Sequence, residues 1–352
     1  MAVDVSFVVP TLNAEHVLPA CLTSIRRQHF DANRIEILVP DGGSTDGTAR
    51  IAASLGARVL DAAGELAEAA KRRAFEVAVG RYLALLDADN EIVGVDWLAR
   101  VVAALDRHPD ALGFESYYLK CPRHSRLNRY LTSCLQISDP VARFLARRPR
   151  RLRMEPDGLE VYELPADGSY PTGANGFVFP RALVDRLPAG QPYHEAVFFP
   201  ALMRAGIRKL LKIRECGIWH HYVGSWADFF RKRQRAMLIR SLRREECPET
   251  WDADGQIRKI LALVYFTTLV GPIAEGVARA VARRDPDWLL HPLAGWVSVG
   301  GNVLGLVRSR SARGREHRAG LSRQLHSLIG PAGRVRPSPP PENEAVEQKS
   351  PR

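Results

Sequence analysis

The chain has 352 residues, 46% of them hydrophobic, and its 50 basic and 39 acidic side chains give a formal net charge of +11. That apolar fraction excludes wholesale disorder, and the length fits one large domain or two smaller ones. The five cysteines are widely spaced with no CxxC pair, which argues against a disulfide framework or zinc knuckle and for a reducing compartment.

In chain order, residues 5–9 form an apolar run ended by Pro10 and read as a buried strand. The opening MAVDVSFVVP carries an acid and no basic region, so no secretory signal is expected. A helical pattern covers 14–28, and 35–39 reads as a second strand. Asp46 is placed to cap a helix over 47–55. A strand at 58–60, a helix over 66–79 and a strand at 82–86 complete an alternation of four strands with three helices. That alternation predicts a parallel sheet with helices on both faces. Ligands of such sheets gather at the carboxyl ends of the strands. Three polar clusters fall there, at 10–15, 41–46 and 87–90.

Beyond residue 120 the pattern becomes irregular, and Pro149, Pro156, Pro165 and Pro171 punctuate what reads as a long connection up to 172. Order returns with GANGFVF at 173–179 and a helix over 195–204. Residues 225–244 read as a basic helix, followed by apolar stretches at 260–274 and 288–307. The tail, 331–352, is rich in Pro, Glu and Ser and is expected to be disordered.

The positive charge is uneven. Residues 1–119 are net −6, whereas 120–153 are net +9, 204–244 net +10 and 308–352 net +6. Such basic blocks point to an anionic partner. Aromatic residues interleave them sparsely, and clustered strand-end carboxylates would repel nucleic acid, so none is expected as a partner.

The chemistry-bearing motif is Asp87-Ala88-Asp89. It follows an apolar strand, and residues two apart in an extended segment point to the same side. Paired carboxylates suit Mg2+ or Mn2+, which also binds phosphate oxygens and neutralises a diphosphate leaving group. Asp41, at another strand end, could accept a hydrogen bond from a nucleobase.

The pieces VVPTLNAE (8–15), DGGSTDGT (41–48), AKRRAFEVAVGRYLALLDADN (70–90) and GANGFVF (173–179) resemble, in order and spacing, the family 2 glycosyltransferases. These are inverting nucleotide-sugar enzymes of the GT-A fold. The resemblance covers about residues 3–245. It implies an α/β fold, a Rossmann-like mixed sheet flanked by helices, here with a C-terminal apolar helix pair added. The implied organisation is a catalytic domain over 1–245, split into a nucleotide-binding half (1–119) and an acceptor half (120–245). A membrane-associated helix pair would occupy 255–310 and the disordered tail 331–352.

Residue by residue, the resemblance implies a nucleotide-sugar site of Pro10, Thr11, Asn13, Glu15, Asp41, Lys71 and Asp87. Lys71 stands where the family has an arginine near the diphosphate, and Arg72 where an asparagine is usual. Asp87 and Asp89 would serve the metal, joined by His220 of the Trp219–Tyr222 stretch. Gly173, Asn175 and His194 fall on the acceptor side. Glu195 aligns with the catalytic base. His194 replaces the usual acidic neighbour, and an imidazole there should favour ionised Glu195. The implied partners are a nucleotide-diphosphate sugar, UDP-linked by expectation, and a lipid-linked or cell-envelope glycan. Two alternatives stay open: a polyprenyl-phosphate sugar synthase, and a non-catalytic relative that scaffolds an envelope complex.

A spanning helix needs about 20 apolar residues. The stretch 288–307 meets that length, and 260–274 is shorter and contains Gly271-Pro272. Basic blocks on both sides fit ends on the cytoplasmic side, but Arg279, Arg283 and Arg284 sit in the connector, which a translocated loop should avoid. A spanning hairpin, helices lying in the interface and a soluble appendage therefore compete. The expectation is an anionic membrane surface at the cytoplasmic face of a bacterial inner membrane.

Overall fold

The computed structural model describes residues 2–187, 193–242 and 255–316. The expected tail disorder, the last two residues of the basic helix and Cys247 lie outside them. The strands, in chain order, are β1 (Val5–Val8), β2 (Ile35–Asp41), β3 (Arg58–Asp61), β4 (Tyr82–Leu85), β5 (Asn90–Ile92), β6 (Ala111–Glu115), β7 (Tyr117–Tyr118), β8 (Arg150–Met154), β9 (Leu159–Glu163), β10 (Phe177–Pro180), β11 (Lys209–Ile213) and β12 (Gly217–His220). The helices are α1 (Leu18–Arg26), α2 (Thr48–Ser54), α3 (Ala67–Val77), α4 (Trp97–Arg107), α5 (Arg126–Arg129), α6 (Pro140–Leu145), α7 (Glu195–Arg204), α8 (Trp226–Leu242), α9 (Gly255–Thr268), α10 (Val270–Arg283) and α11 (His291–Glu316).

A nine-stranded sheet runs β3-β2-β1-β4-β10-β6-β11-β9-β8. β1 to β4 are mutually parallel, as expected, with Val5 opposite both Ile35 and Tyr82. β10 enters antiparallel between β4 and β6 and makes the sheet mixed. The apolar runs are continuous because both faces are covered. Along β1, Val5, Phe7 and Val9 pack on one face with Leu18, Leu22 and Trp97, and Val8 packs on the other with Phe75, Leu85 and Phe177. A small second sheet, β5-β12-β7, sets His220 opposite Asn90.

Several expectations need correction. The helix read from residue 14 starts at Leu18, after a turn in which Ala14 O accepts from both Val17 N and Leu18 N. The connection over 120–172 is not irregular: it holds the short helices α5 and α6 and a β8–β9 hairpin that extends the sheet through β11. β8 escapes a hydrophobic-pattern search because all five of its residues, RRLRM, are exposed on an edge. The stretch 260–274 is two helices. Leu269 adopts φ +61°, Pro272 enters the first turn of α10, and the axes bend by 77°. Proline supplies no N–H to continue the α9 ladder, so the chain breaks there. A 3-10 turn over Pro286–Leu290 precedes α11, which begins at His291.

Candidate active site

Two strand-end loops are knitted together above β1 and β2. Thr11 bridges to Asp41: its N–H donates to Pro40 O (3.0 Å), its carbonyl accepts from Gly42 N (2.8 Å), and its hydroxyl donates to Asp41 Oδ1 (3.1 Å). Asp41 Oδ2 also accepts from Ser44 N at 3.0 Å. Pro10 is half-buried at the end of β1. Asn13, at φ +51°, takes Thr45 N on its side-chain oxygen (2.9 Å), and Glu15 takes Gly47 N (2.8 Å). The side chains of Asn13 and Glu15 thus tie one loop to the other.

The third strand end carries the charge. Lys71 lies on the buried face of α3 beside Ala70, Ala74 and Phe75. Its ammonium ion-pairs with Glu195 at the start of α7 and lies 3.7 Å from Asp87 Oδ1. Three segments far apart in sequence therefore meet at one point. Burial works against the lysine charge, but Glu195 and Asp87 outweigh it and hold the ammonium above the ordinary lysine value. Burial pushes the Glu195 carboxyl above its ordinary 4.5, with Lys71 opposing and Asp87 adding to the rise. The cation that pairs with Glu195 is Lys71, a partner the sequence reading did not name. His194 is the extended residue at the helix N-cap, buried, and its carbonyl accepts from Val197 N and Phe198 N. Arg72 pairs one turn on with Glu76 at 3.1 Å.

Asp89, half-buried, meets a different set of partners from Asp87. Its Oδ1 accepts from Asn90 Nδ2 (2.8 Å) and lies 3.6 Å from His220 Nε2. Burial raises the Asp89 carboxyl, with Lys232 and His221 holding it down. Burial and then Lys232 pull the His220 imidazole down to about 3, so His220 is neutral with a lone pair to offer. Its Nδ1 has no hydrogen-bond partner among the described residues. Tyr118 and Tyr222 rings flank it at 5.2 and 5.1 Å. Among the described residues no three His, Cys, Asp or Glu side chains form a complete cage. Magnesium and manganese held mainly through phosphate oxygens need only one or two protein donors, and the Asp89–His220 pair with its unsatisfied ring fits that demand.

The GANG segment closes the site on the other side. Asn175 Oδ1 accepts from Asn90 Nδ2 at 3.3 Å, linking it to Asp89. Gly173 has φ +98°, and a Cβ there would fall 2.0 Å from the Phe199 ring of α7. Its role is to let the loop lie against the helix that carries Glu195.

Sequence inspection misses most of the walls of a cavity of about 210 Å³ beside Glu195, among them Tyr118, Gln136, Tyr170 and Thr172, whereas Asn175, expected on the acceptor side, does line it. Below it, Glu115 accepts from Tyr170 OH (2.9 Å), Thr172 Oγ1 (2.8 Å) and Lys212 Nζ (2.7 Å). β7 is only two residues long, too short for any periodicity to announce Tyr118.

Residues 6–156 match the family model described as Glycosyl transferase family 2. The chain is similar to the PGL/p-HBAD biosynthesis glycosyltransferase of Mycobacterium tuberculosis, 40% identical over 110 residues, covering 29% of this chain and 42% of the relative. It is also similar to the uncharacterized glycosyltransferase YibD of Escherichia coli, 32% identical over 106 residues, covering 29% and 30%. The chain thus spans less than half the length of these curated relatives. Among solved structures, the mannosyltransferase PcManGT of Pyrobaculum calidifontis, in complex with GDP-Man and Mn2+, superposes with a TM-score of 0.52. It has 16% identity and covers 86% of this chain and 88% of that one. This likeness is one of fold, the GT-A arrangement of a mixed sheet between helices.

Proposed function

We propose that the protein is a metal-assisted inverting glycosyltransferase. It moves a sugar from a nucleotide diphosphate to a hydroxyl of a lipid-linked or cell-envelope glycan, at the cytoplasmic face of a bacterial plasma membrane. The observation that carries this reading is the junction of Asp87, Lys71 and Glu195 at the carboxyl edge of the parallel strands.

In inverting transfer the acceptor oxygen attacks the anomeric carbon in line as the bond to the diphosphate oxygen breaks. The nucleotide diphosphate leaves with that electron pair, and the acceptor proton goes to a base. Glu195 takes the proton: it borders the cavity, and burial raises its affinity for one. Lys71 orients the carboxylate and holds a permanent positive charge between it and Asp87. Thr11 and Asp41 receive the nucleoside, in a loop made rigid by Asn13 and Glu15. Asp89 and His220 would hold Mg2+ or Mn2+, with Asp87 alongside. When bound, the ion supplies neutralisation of the leaving diphosphate.

A thermal-shift panel of UDP-, GDP- and dTDP-sugars with manganese tests the reading. A donor at a hundredfold excess over its Kd stabilises the native state by about 2.7 kcal/mol and raises Tm accordingly. No shift with any nucleotide sugar contradicts the proposal. A polyprenyl phosphate is already an anion and needs no base, so full activity of Glu195→Gln on that acceptor would identify a polyprenyl-phosphate sugar synthase instead.

A further inference from the structure

The C-terminal helices turn their small and polar residues inward and their large aliphatic residues outward. On α11 the inward face carries Gly295, Ser298, Gly301, Gly305 and Ser309, all buried, and the outward face Leu293, Trp296, Val303, Leu306 and Val307. The glycines permit close approach: a Cβ on Gly295 would meet the Phe266 ring at 2.1 Å, and one on Gly305 would meet Gln234 O at 2.4 Å. α9 buries Ala262 and Phe266 and exposes Ile257, Ile260, Leu261, Leu263 and Val264. α10 buries Pro272 and Gly276 and exposes Val270, Ile273, Val277 and Val281, at three- and four-residue spacing. Three mutually packed helices each expose a row of aliphatic residues, far more than the scattered apolar residues of an ordinary surface. Exposed arginines lie beside these residues, Arg283 and Arg284 at the end of α10 and Arg308 and Arg310 on α11, which fits an anionic lipid surface rather than a second copy of this basic chain.

Crossing the bilayer is disfavoured by what holds these helices. α9 and α10 have 14 residues each and meet at 77°, and a span takes about 20. α11 is long enough, but it is pinned to charged elements along its length. Just before it, buried Asp287 accepts from Arg126 Nε (3.1 Å) and Arg129 Nε (2.8 Å). At mid-length Ser298 Oγ donates to Asp139 (2.7 Å), which also takes Arg233 Nη1 at 2.6 Å. Further on, Gly301 and Gly305 lie against α8, the helix of Arg231, Lys232, Arg233 and Arg235. A spanning α11 would draw these cations into hydrocarbon.

We infer that α9, α10 and α11 form a monotopic platform that lies in one leaflet's interface with its aliphatic faces in lipid and does not cross the bilayer. The platform is fixed to the cavity wall, because the segment that meets Asp287 and Trp288 through Arg126, Arg129 and Tyr130 continues directly to Gln136, which lines the cavity. A lipid-linked acceptor would therefore reach Glu195 from the membrane side. The inference rests on the membrane part of the proposed function and not on its chemistry.

The test uses the full chain and vesicles of equal parts phosphatidylcholine and phosphatidylglycerol. The protein should float with the vesicles and be released by alkaline carbonate. An Ile273→Asp/Val277→Asp variant should bind them about tenfold to a hundredfold more weakly, with donor-sugar binding unchanged as the control for folding. Should that variant misfold, brominated lipids serve instead: shallow bromines should quench tryptophan fluorescence in the native chain, and Trp296→Phe should lose most of that quenching. Resistance to carbonate would overturn the monotopic placement in favour of a spanning one. Failure to float, or a dimer that the aspartate variant dissociates, would overturn the lipid assignment. Flotation without transfer to any acceptor would leave the platform standing and remove the glycosyltransferase reading.

Discussion

Glu195→Gln keeps the shape of the side chain and removes one charge together with the proton acceptor. Its structural cost is contained by Asp87. Lys71 is almost fully buried and loses one of two carboxylates, but Asp87 Oδ1 remains 3.7 Å away. At an effective dielectric of about 20, that contact retains Coulomb energy on the order of 4 kcal/mol before discounting for the 40% exposure of the Asp87 side chain. The ammonium is not orphaned, so the expected loss of stability is about 1–2 kcal/mol, below the roughly 3–5 kcal/mol of an uncompensated buried charge. The catalytic cost is larger. Removing a general base lowers turnover by about 10²–10⁴, and a thousandfold fall in kcat corresponds to about 4 kcal/mol in the barrier. Initial rates, donor calorimetry and a denaturant melt on the same preparation separate the three quantities. The account requires kcat to collapse while the donor Kd stays within a few-fold. Near-normal turnover refutes the base assignment, and a loss of donor affinity that matches the loss of rate assigns Glu195 to binding instead.

Other consequences follow from the same contacts. Because Glu195 must be ionised to act and burial holds its carboxyl above the ordinary value, kcat/KM should fall as the pH drops through a midpoint above 4.5, the ordinary glutamate value. Lys71→Met removes the charge that opposes the rise and should move that acid limb higher still, whereas an unmoved limb contradicts the pairing. Gly173→Ala places a Cβ into the Phe199 ring at a positive φ and should lower unfolding free energy by at least about 2 kcal/mol, read from the denaturant midpoint. Asp287→Asn weakens the anchor of Arg126 and Arg129 and should cost about 2–4 kcal/mol, again measured by equilibrium unfolding, with donor affinity preserved.

Three of the four parallel strands were legible as apolar runs ended by Pro10, Asp41 and Asp87, and the short β3 by its place in the alternation. The apolar face and the start of α7 were legible as well. What sequence could not reveal lies in contacts between distant segments. Nothing local marks Lys71 as the partner of Glu195, since 124 positions separate them and the pair forms only when α3 and α7 converge on β4. The tie that Asn13 and Glu15 make becomes visible only when the second loop is in place, its Thr45 N and Gly47 N donating to their side-chain oxygens. β8 stayed hidden because an exposed edge strand has no apolar face to alternate with a polar one. The break at Leu269 was obscured by composition: the apolar character runs on through Gly271 and Pro272 while the backbone does not.

The central claim is in-line transfer driven by one carboxylate base, and the anomeric configuration of the product tests it most directly. With a nucleotide sugar of defined anomer, manganese and an acceptor that supports turnover, proton NMR of the isolated product should show the opposite configuration at the transferred carbon. Retention of the donor's configuration would contradict the account.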